Sequence, residues 1–106
     1  MAGSKKRLAP VHPGEILRED FLLPLGLTMN KLALDLRVPA TRIAEIAHGR
    51  RSITPETALR LSQYFNTTPL FWLNLQTLYD LDVATDRELN RIKKDVRPLK
   101  AAAQGA

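Results

Sequence analysis

The chain has 106 residues, and its hydrophobic content of 44% suits one domain with a modest core. It contains no cysteine, so disulfides, thiol catalysis and thiolate metal sites are excluded, and a cytoplasmic location is expected. The formal net charge of +5 favours a polyanionic partner. The longest apolar run is broken by Pro24 and Gly26, so no membrane span is predicted.

The N-terminal region is predicted to be an arm followed by one helix. Residues 1–10 are small and basic, and we predict a flexible arm that is either a solvated tail or a segment that seeks phosphates or a partner. The first helix is expected to begin near Pro13, because proline suits the first helical position. It is expected to end at about Leu23, because the residue before Pro24 avoids helical angles. Gly26 then lets the chain turn.

The stretch from Thr28 to Ile53 has the pattern of two short helices and a tight bend. Thr28 is a suitable N-cap, and apolar residues follow it at the spacing of one helix face: Met29, Leu32, Ala33 and Leu36. Pro39 opens the next helix, and Gly49 is the expected left-handed end. Because the outer surface is polar and carries four arginines between residues 37 and 51, the stretch predicts a helix-turn-helix presented to double-stranded DNA.

The second helix of this motif is the predicted recognition helix. Its buried side is expected to consist of Ile43, Ile46 and Ala47. Its outward side carries Ala40, Thr41, Arg42, Glu45 and His48, and the candidate base-reading residues among them are Thr41, Arg42 and Glu45. An arginine can contact guanine with two hydrogen bonds, a threonine offers a hydroxyl or a methyl group, and a glutamate accepts from cytosine or repels phosphate.

Phosphate contacts are expected at the edges of the motif. Thr28 starts a helix, and Arg50 and Arg51 follow the recognition helix, where backbone amides and side-chain charge attract phosphate. The alternatives are a Thr28 that acts only as a cap and a pair of arginines in a solvated loop. We favour phosphate binding for the arginines.

Two further helices are predicted from the pairs Thr54-Pro55 and Thr68-Pro69, which combine an N-cap with a proline. The first has one apolar face and can end at Asn66. The second is apolar on more than one face, so we expect it to pack on the core and on a second copy of the chain. The predicted homodimer interface contains Trp72, Leu75, Leu78 and Tyr79. A stacking platform for single strands is the less favoured interpretation, because basic residues do not alternate with the aromatic ones.

The remaining features predict neither catalysis nor cofactor binding. Residues 11–85 are expected to form the DNA-binding and dimerisation domain, and residues 86–106 a charged tail that is helical or disordered. His12 and His48 are far apart and have no acidic or thiol cluster beside them, so no metal site is predicted. No nucleophile accompanies Asp80 and Asp82, and an enzyme is therefore not expected.

Three segments of this sequence resemble the short HigA-type antitoxins of bacterial toxin-antitoxin modules, a branch of the Xre or Cro/repressor-like helix-turn-helix superfamily. They are HPGEILREDFL, ALDLRVPATRIAEIAHGRRSIT and ETALRLSQYFNTTPLFWLNLQTLYDL, and the resemblance spans residues 12 to about 84. It implies an all-α, five-helix, lambda-repressor-like domain that binds a palindromic operator as a homodimer and represses its own operon. It also implies binding to a cognate HigB/RelE-like toxin that cleaves mRNA, with the N-terminal segment and first helix as the expected contact.

By position, the resemblance places Ala40, Thr41 and Glu45 opposite the bases. It places Thr28, Arg42 and Arg50 at neighbouring backbone or base-edge contacts, and the helix from Pro69 at the dimer. Two alternatives stay open: a stand-alone Xre-type regulator without a toxin, and a protein-interaction module that has lost DNA binding.

Overall fold

The computed structural model describes residues 9–100, and over this range it contains five helices and no strand. The predicted arm, apart from residues 9 and 10, and residues 101–106 lie outside the described part. Helix α1 consists of three consecutive segments, Pro13–Ile16, Leu17–Leu22 and Leu23–Leu25. The others are α2 (Met29–Leu36), α3 (Ala40–Ala47), α4 (Pro55–Phe65) and α5 (Pro69–Asp95). The all-α, five-helix prediction is confirmed.

Local capping residues set most of the helix limits. The three predicted N-caps each accept a hydrogen bond from a backbone N–H in the first turn: Thr28, Thr54 and Thr68. Gly49 and Asn66 have positive φ angles of 78° and 58°, as expected for residues that end a helix. These short-range signals in the sequence therefore delimit α2, α3 and α4 correctly.

Helix α1 continues past the predicted end at Leu23 and includes Pro24. Its middle segment, Leu17–Leu22, is a π-helix, in which each backbone N–H bonds to the carbonyl five residues earlier. A proline ring ordinarily clashes with the carbonyl four residues before it. The wider turn before Pro24 provides room for the ring, so the helix ends at Leu25 and Gly26 takes the left-handed conformation, with φ of 65°. The prediction of an end at Leu23 was therefore wrong.

The core lies where all five helices meet, and Trp72 is its largest side chain. Its indole ring is 0% exposed and lies 4.9 Å from the ring of Phe21, measured between centroids. Its Nε1–H donates to Thr67 Oγ1 at 2.8 Å. Trp72 therefore has no surface left for a second chain, and its assignment to the dimer interface was wrong. The two apolar faces of α5 were recognised, but the sequence does not show which of them the core covers.

The start of α1 packs directly against the end of α3. A Cβ atom placed on Gly14 would lie 1.8 Å from the carbonyl oxygen of Ile46, so only glycine allows the two backbones to approach this closely. Arg18 lies one turn further along α1, and its Nε–H donates to the carbonyl oxygen of Ala47 at 2.9 Å. Helix α1 therefore holds the C-terminal end of α3 through contacts with the α3 backbone.

His12 anchors the first turn of α1. Its Nδ1 accepts a hydrogen bond from the backbone N–H of Gly14 at 2.9 Å, which makes it the N-cap of the helix. Its ring packs edge-on against Tyr79 of α5, with 4.8 Å between the ring centroids. Desolvation lowers the pKa of His12, although the charge of Asp80 and a hydrogen bond with the backbone of Arg51 oppose the shift. The neutral imidazole is therefore the form that the fold favours.

Helix α5 has 27 residues and continues without a break through residues 86–95. At 1.5 Å per residue it is about 40 Å long. Only its first third is firmly packed, because Trp72 and Gln76 are its buried residues. Within residues 9–100, no helix combines the length and the hydropathy that a membrane-spanning segment requires.

We expect Gly14→Ala to lower the free energy of unfolding by about 3 kcal/mol, the upper range for overpacking, because the new methyl group meets a backbone carbonyl that cannot rotate away. Gly26→Ala is the matched control. Gly26 has a positive φ but no atom within 4 Å of the added Cβ, so its cost should be only about 1 kcal/mol. Urea unfolding followed by circular dichroism measures both values, and equal losses would contradict the close packing of α1 on α3.

We also expect stability to fall as the pH drops from about 7.5 through the ordinary histidine pKa of about 6.5 and then through the lowered pKa of His12. In this window the unfolded chain binds a proton that the folded chain resists, so acidification favours unfolding. His12→Asn retains a side-chain acceptor for the helix cap but does not titrate. Its urea midpoint should change less with pH than that of the wild type, and an unchanged slope would assign the effect to another group.

Candidate nucleic-acid interface

The turn between α2 and α3 is built from backbone hydrogen bonds. Arg37 has a φ of 62° and ends α2 in the left-handed conformation. The next residue, Val38, donates its N–H to the carbonyl oxygen of Ala33 at 3.1 Å, and its side chain packs against the core. Pro39 is then the extended residue before α3. This turn sets the two helices at a fixed angle.

Helix α3 is divided between a buried side and an exposed side. Ile43 and Ile46 are 0% exposed, and Ala47 is also buried. Ala40 and Thr41 are exposed at the start of the helix, and Glu45 is half-buried one turn later. The predicted division of the recognition helix is therefore confirmed. Its N-terminal half is the part that a groove in DNA can receive.

Arg42 is half-buried and does not extend freely into solvent. Its Nη1 donates to Glu56 Oε1 at 3.0 Å, and the other carboxylate oxygen, Glu56 Oε2, accepts from Arg60 Nε at 2.9 Å. Arg60 in turn donates through Nη1 to the carbonyl oxygen of Leu36 at 2.8 Å. The hydrogen bonds from Arg60 and then from Arg42 lower the pKa of Glu56, so this carboxylate is ionised at neutral pH. Helices α2, α3 and α4 are thus joined by one charged network.

Sequence reasoning missed Glu56 and Arg60. Both belong to α4, and the only signal for them was their spacing of four residues, which is common on solvated helices. Their proximity to Arg42 depends on the crossing of α3 and α4.

The two arginines after α3 differ in their surroundings. Arg51 Nε donates to Glu45 Oε1 at 2.8 Å. Arg51, a predicted phosphate ligand, therefore forms an ion pair with Glu45, a predicted base-reading residue. The backbone N–H of Arg50 donates to the carbonyl oxygen of Glu45 at 2.7 Å, and its side chain is exposed. Among residues 9–100 the Arg50 guanidinium makes no ion pair. Arg50 is therefore the more available cation.

The loop that carries these arginines is held by α5. The backbone N–H of Ile53 donates to Gln76 Oε1 at 2.8 Å, and Gln76 Nε2 donates to Asp80 Oδ1 at 3.0 Å. Because Ile53 and Gln76 are both buried, this contact fixes the end of the loop.

Thr28 at the start of α2 has a hydroxyl that can serve two roles. Its Oγ1 accepts from the backbone N–H of Lys31 at 3.0 Å, so it is a helix cap. A hydroxyl keeps one O–H donor when it accepts, and Thr28 is exposed. Capping and phosphate binding are therefore compatible at this residue.

The remaining residues of the predicted dimer interface lie along α5 with different exposure. Leu78 is 61% exposed, whereas Leu75 and Tyr79 are half-buried against the body of the molecule. Leu81, at 60% exposed, follows Leu78 one turn later. Exposed apolar side chains thus continue along α5 beyond its buried residues, Trp72 and Gln76.

Two short helices joined by a tight left-handed turn, the second with a buried side and an exposed N-terminal half, define a helix-turn-helix protein. The family model described as "Helix-turn-helix" matches residues 17–73, more than half of the chain. This chain belongs to that family.

The similar proteins extend beyond the motif. Virulence-associated protein I of Dichelobacter nodosus is 50% identical over 80 residues, which cover 76% of this chain and 74% of that protein. An addiction module antidote protein of the HigA family from Coxiella burnetii has 46% identity and a TM-score of 0.83, over 87% of this chain and 100% of that one. The antitoxin HigA of Pseudomonas aeruginosa, solved with the higBA promoter, has 39% identity and a TM-score of 0.83, over 85% and 98%. The similarity therefore includes α1 and α5 as well as the motif, and it places this chain in the HigA-type antitoxin branch of the family.

Proposed function

We propose that this protein is an antitoxin that binds operator DNA as a homodimer, represses its own operon and neutralises an mRNA-cleaving toxin of the HigB/RelE type by direct binding. The observation that carries the proposal is the exposed N-terminal half of α3, together with the exposed Thr28 at the start of α2 and the exposed Arg50, which makes no ion pair within residues 9–100. The similarity to a HigA antitoxin solved with a promoter supports the same assignment. Both partners belong to the bacterial cytoplasm, which is where we place the protein.

In this proposal α3 enters the major groove. Ala40, Thr41, Arg42 and Glu45 face the base edges, and Thr28, Arg50 and Arg51 contact phosphates. Arg50 is the strongest phosphate ligand of the three, because it is charged and no carboxylate in the described part of the chain pairs with it. Arg51 becomes available to phosphate when the Glu45 side chain leaves it to contact a base. The binding of DNA therefore changes the contacts of both residues together.

The dimer is proposed to form through the exposed part of α5. Two recognition helices must lie about 34 Å apart to enter successive major grooves, and the motif itself offers no contact that sets this distance. With Trp72 removed from the interface, Leu75, Leu78 and Tyr79 remain its proposed members. The toxin is proposed to contact the N-terminal segment and α1, which leaves α3 available for DNA.

We expect the protein to bind a fragment of its own upstream DNA in a complex with two chains per palindromic site, and more weakly as salt increases. Thr41→Ala should reduce the preference for operator over scrambled DNA by about 1 to 3 kcal/mol and leave the salt slope unchanged. Arg50→Ala should weaken binding to both sequences and reduce the slope of log K against log salt by about 1. Fluorescence anisotropy at several salt concentrations measures both effects.

Arg97→Ala is the matched control for Arg50→Ala, because Arg97 is an exposed arginine beyond the end of α5. It should leave the operator preference unchanged and lower the affinity less. If Thr41→Ala kept the full preference, the assignment of α3 as the recognition helix would be wrong.

The antitoxin part of the proposal is tested with the protein encoded beside this gene. We expect the tagged chain to co-purify with a small basic neighbour that stops translation when it is expressed alone. Co-expression of this chain should restore growth, and so should its Arg50→Ala variant, because neutralisation does not need DNA. Operator binding without a toxin partner would instead support a stand-alone regulator.

A further inference from the structure

The network around Glu56 is more specific than ordinary surface charge. Its carboxylate accepts from Arg42 of the recognition helix through one oxygen and from Arg60 through the other. Most exposed ion pairs join two flexible side chains and restrain neither. Here Arg60 is itself fixed to the carbonyl oxygen of Leu36 at the end of α2. Arg60 therefore holds the Glu56 carboxylate in place through the oxygen that does not contact Arg42.

Arg42 is restrained by this arrangement but keeps its capacity to bind. A guanidinium has five N–H donors in a rigid plane, and the contact to Glu56 uses Nη1 alone. The Arg42 side chain is 25% exposed, so its edge is accessible. An arginine that is already oriented loses less conformational entropy when it binds a base.

We propose that Glu56 is a positioning residue that raises the sequence preference of the recognition helix. It orients the Arg42 guanidinium, and it weakens the attraction of this guanidinium to phosphates of any DNA sequence. This inference rests on the proposed DNA binding. The carboxylate has two effects, and both increase the preference for operator DNA. Orientation favours the geometry of a correct base contact, and the negative charge weakens binding to DNA that offers phosphates only.

Two substitutions separate these effects. Glu56→Gln removes the charge and keeps the length, whereas Glu56→Asp keeps the charge but shortens the side chain by one methylene group and breaks the 3.0 Å contact. We expect Glu56→Gln to reduce the ratio of operator to scrambled-DNA affinity about tenfold. The slope of log K against log salt should become steeper, by an amount that corresponds to the release of up to about 1 more counterion. Glu56→Asp should reduce the same ratio and leave the slope as in the wild type. The side chain is 56% exposed, so both variants should keep the wild-type melting temperature to within a few degrees.

Glu88→Gln is the matched control. Glu88 pairs with Arg91 on α5, outside the recognition helix, in the same kind of arginine–carboxylate contact. It should change neither the ratio nor the slope. Arg42→Ala provides the second comparison: in that background Glu56→Gln should cause no further loss of preference, because Glu56 acts through Arg42.

The outcomes are distinguishable. If the wild type prefers its operator and Glu56→Gln keeps that preference, the positioning role is overturned and the proposed function stands. An equal further loss from Glu56→Gln in the Arg42→Ala background also overturns it, since the effect would then be a general one on the fold. If the wild type shows no preference for its upstream DNA, the proposed function fails and this inference fails with it.

Discussion

An eight-residue helix does not persist in water by itself, so the recognition helix depends on the burial of Ile43 and Ile46. Each fully buried aliphatic side chain contributes about 1.5 to 3 kcal/mol relative to exposure. This contribution offsets the unfavourable nucleation of a short helix. The same burial turns the opposite side of α3 outward, so the stability of the helix and the presentation of its polar surface have one cause.

The position of α3 is then set by three neighbours that contact different parts of it. Helix α1 packs on its C-terminal end at Gly14, the turn at Arg37 sets its angle to α2, and α4 holds Arg42 through Glu56. The first two are backbone contacts and the third is an ion pair between side chains, and together they leave little freedom for rotation. A helix presented to DNA benefits from such rigidity, because a base contact requires a defined distance and direction.

The charges around the motif are more balanced than the net charge of the chain suggests. Arg42 pairs with Glu56 and Arg51 pairs with Glu45, whereas Arg50 pairs with no carboxylate in the described range, residues 9–100. Attraction to any polyanion is therefore moderated at the recognition helix itself. In the proposed function, general attraction comes from free cations such as Arg50, and discrimination comes from side chains that are held in place.

Sequence alone determined the features that depend on neighbouring residues. Threonine caps, glycine and asparagine helix ends and the period of 3.6 residues predicted four helices and the buried side of α3, because these signals act within one or two turns. The continuation of α1 through Pro24 depended on a π-helical turn that has no short-range signature. Only the tertiary structure decided that Trp72 belongs to the core, that Gly14 meets Ile46 and that Glu56 reaches Arg42. Each of these depends on how two helices cross, and the packing of the whole chain fixes that crossing.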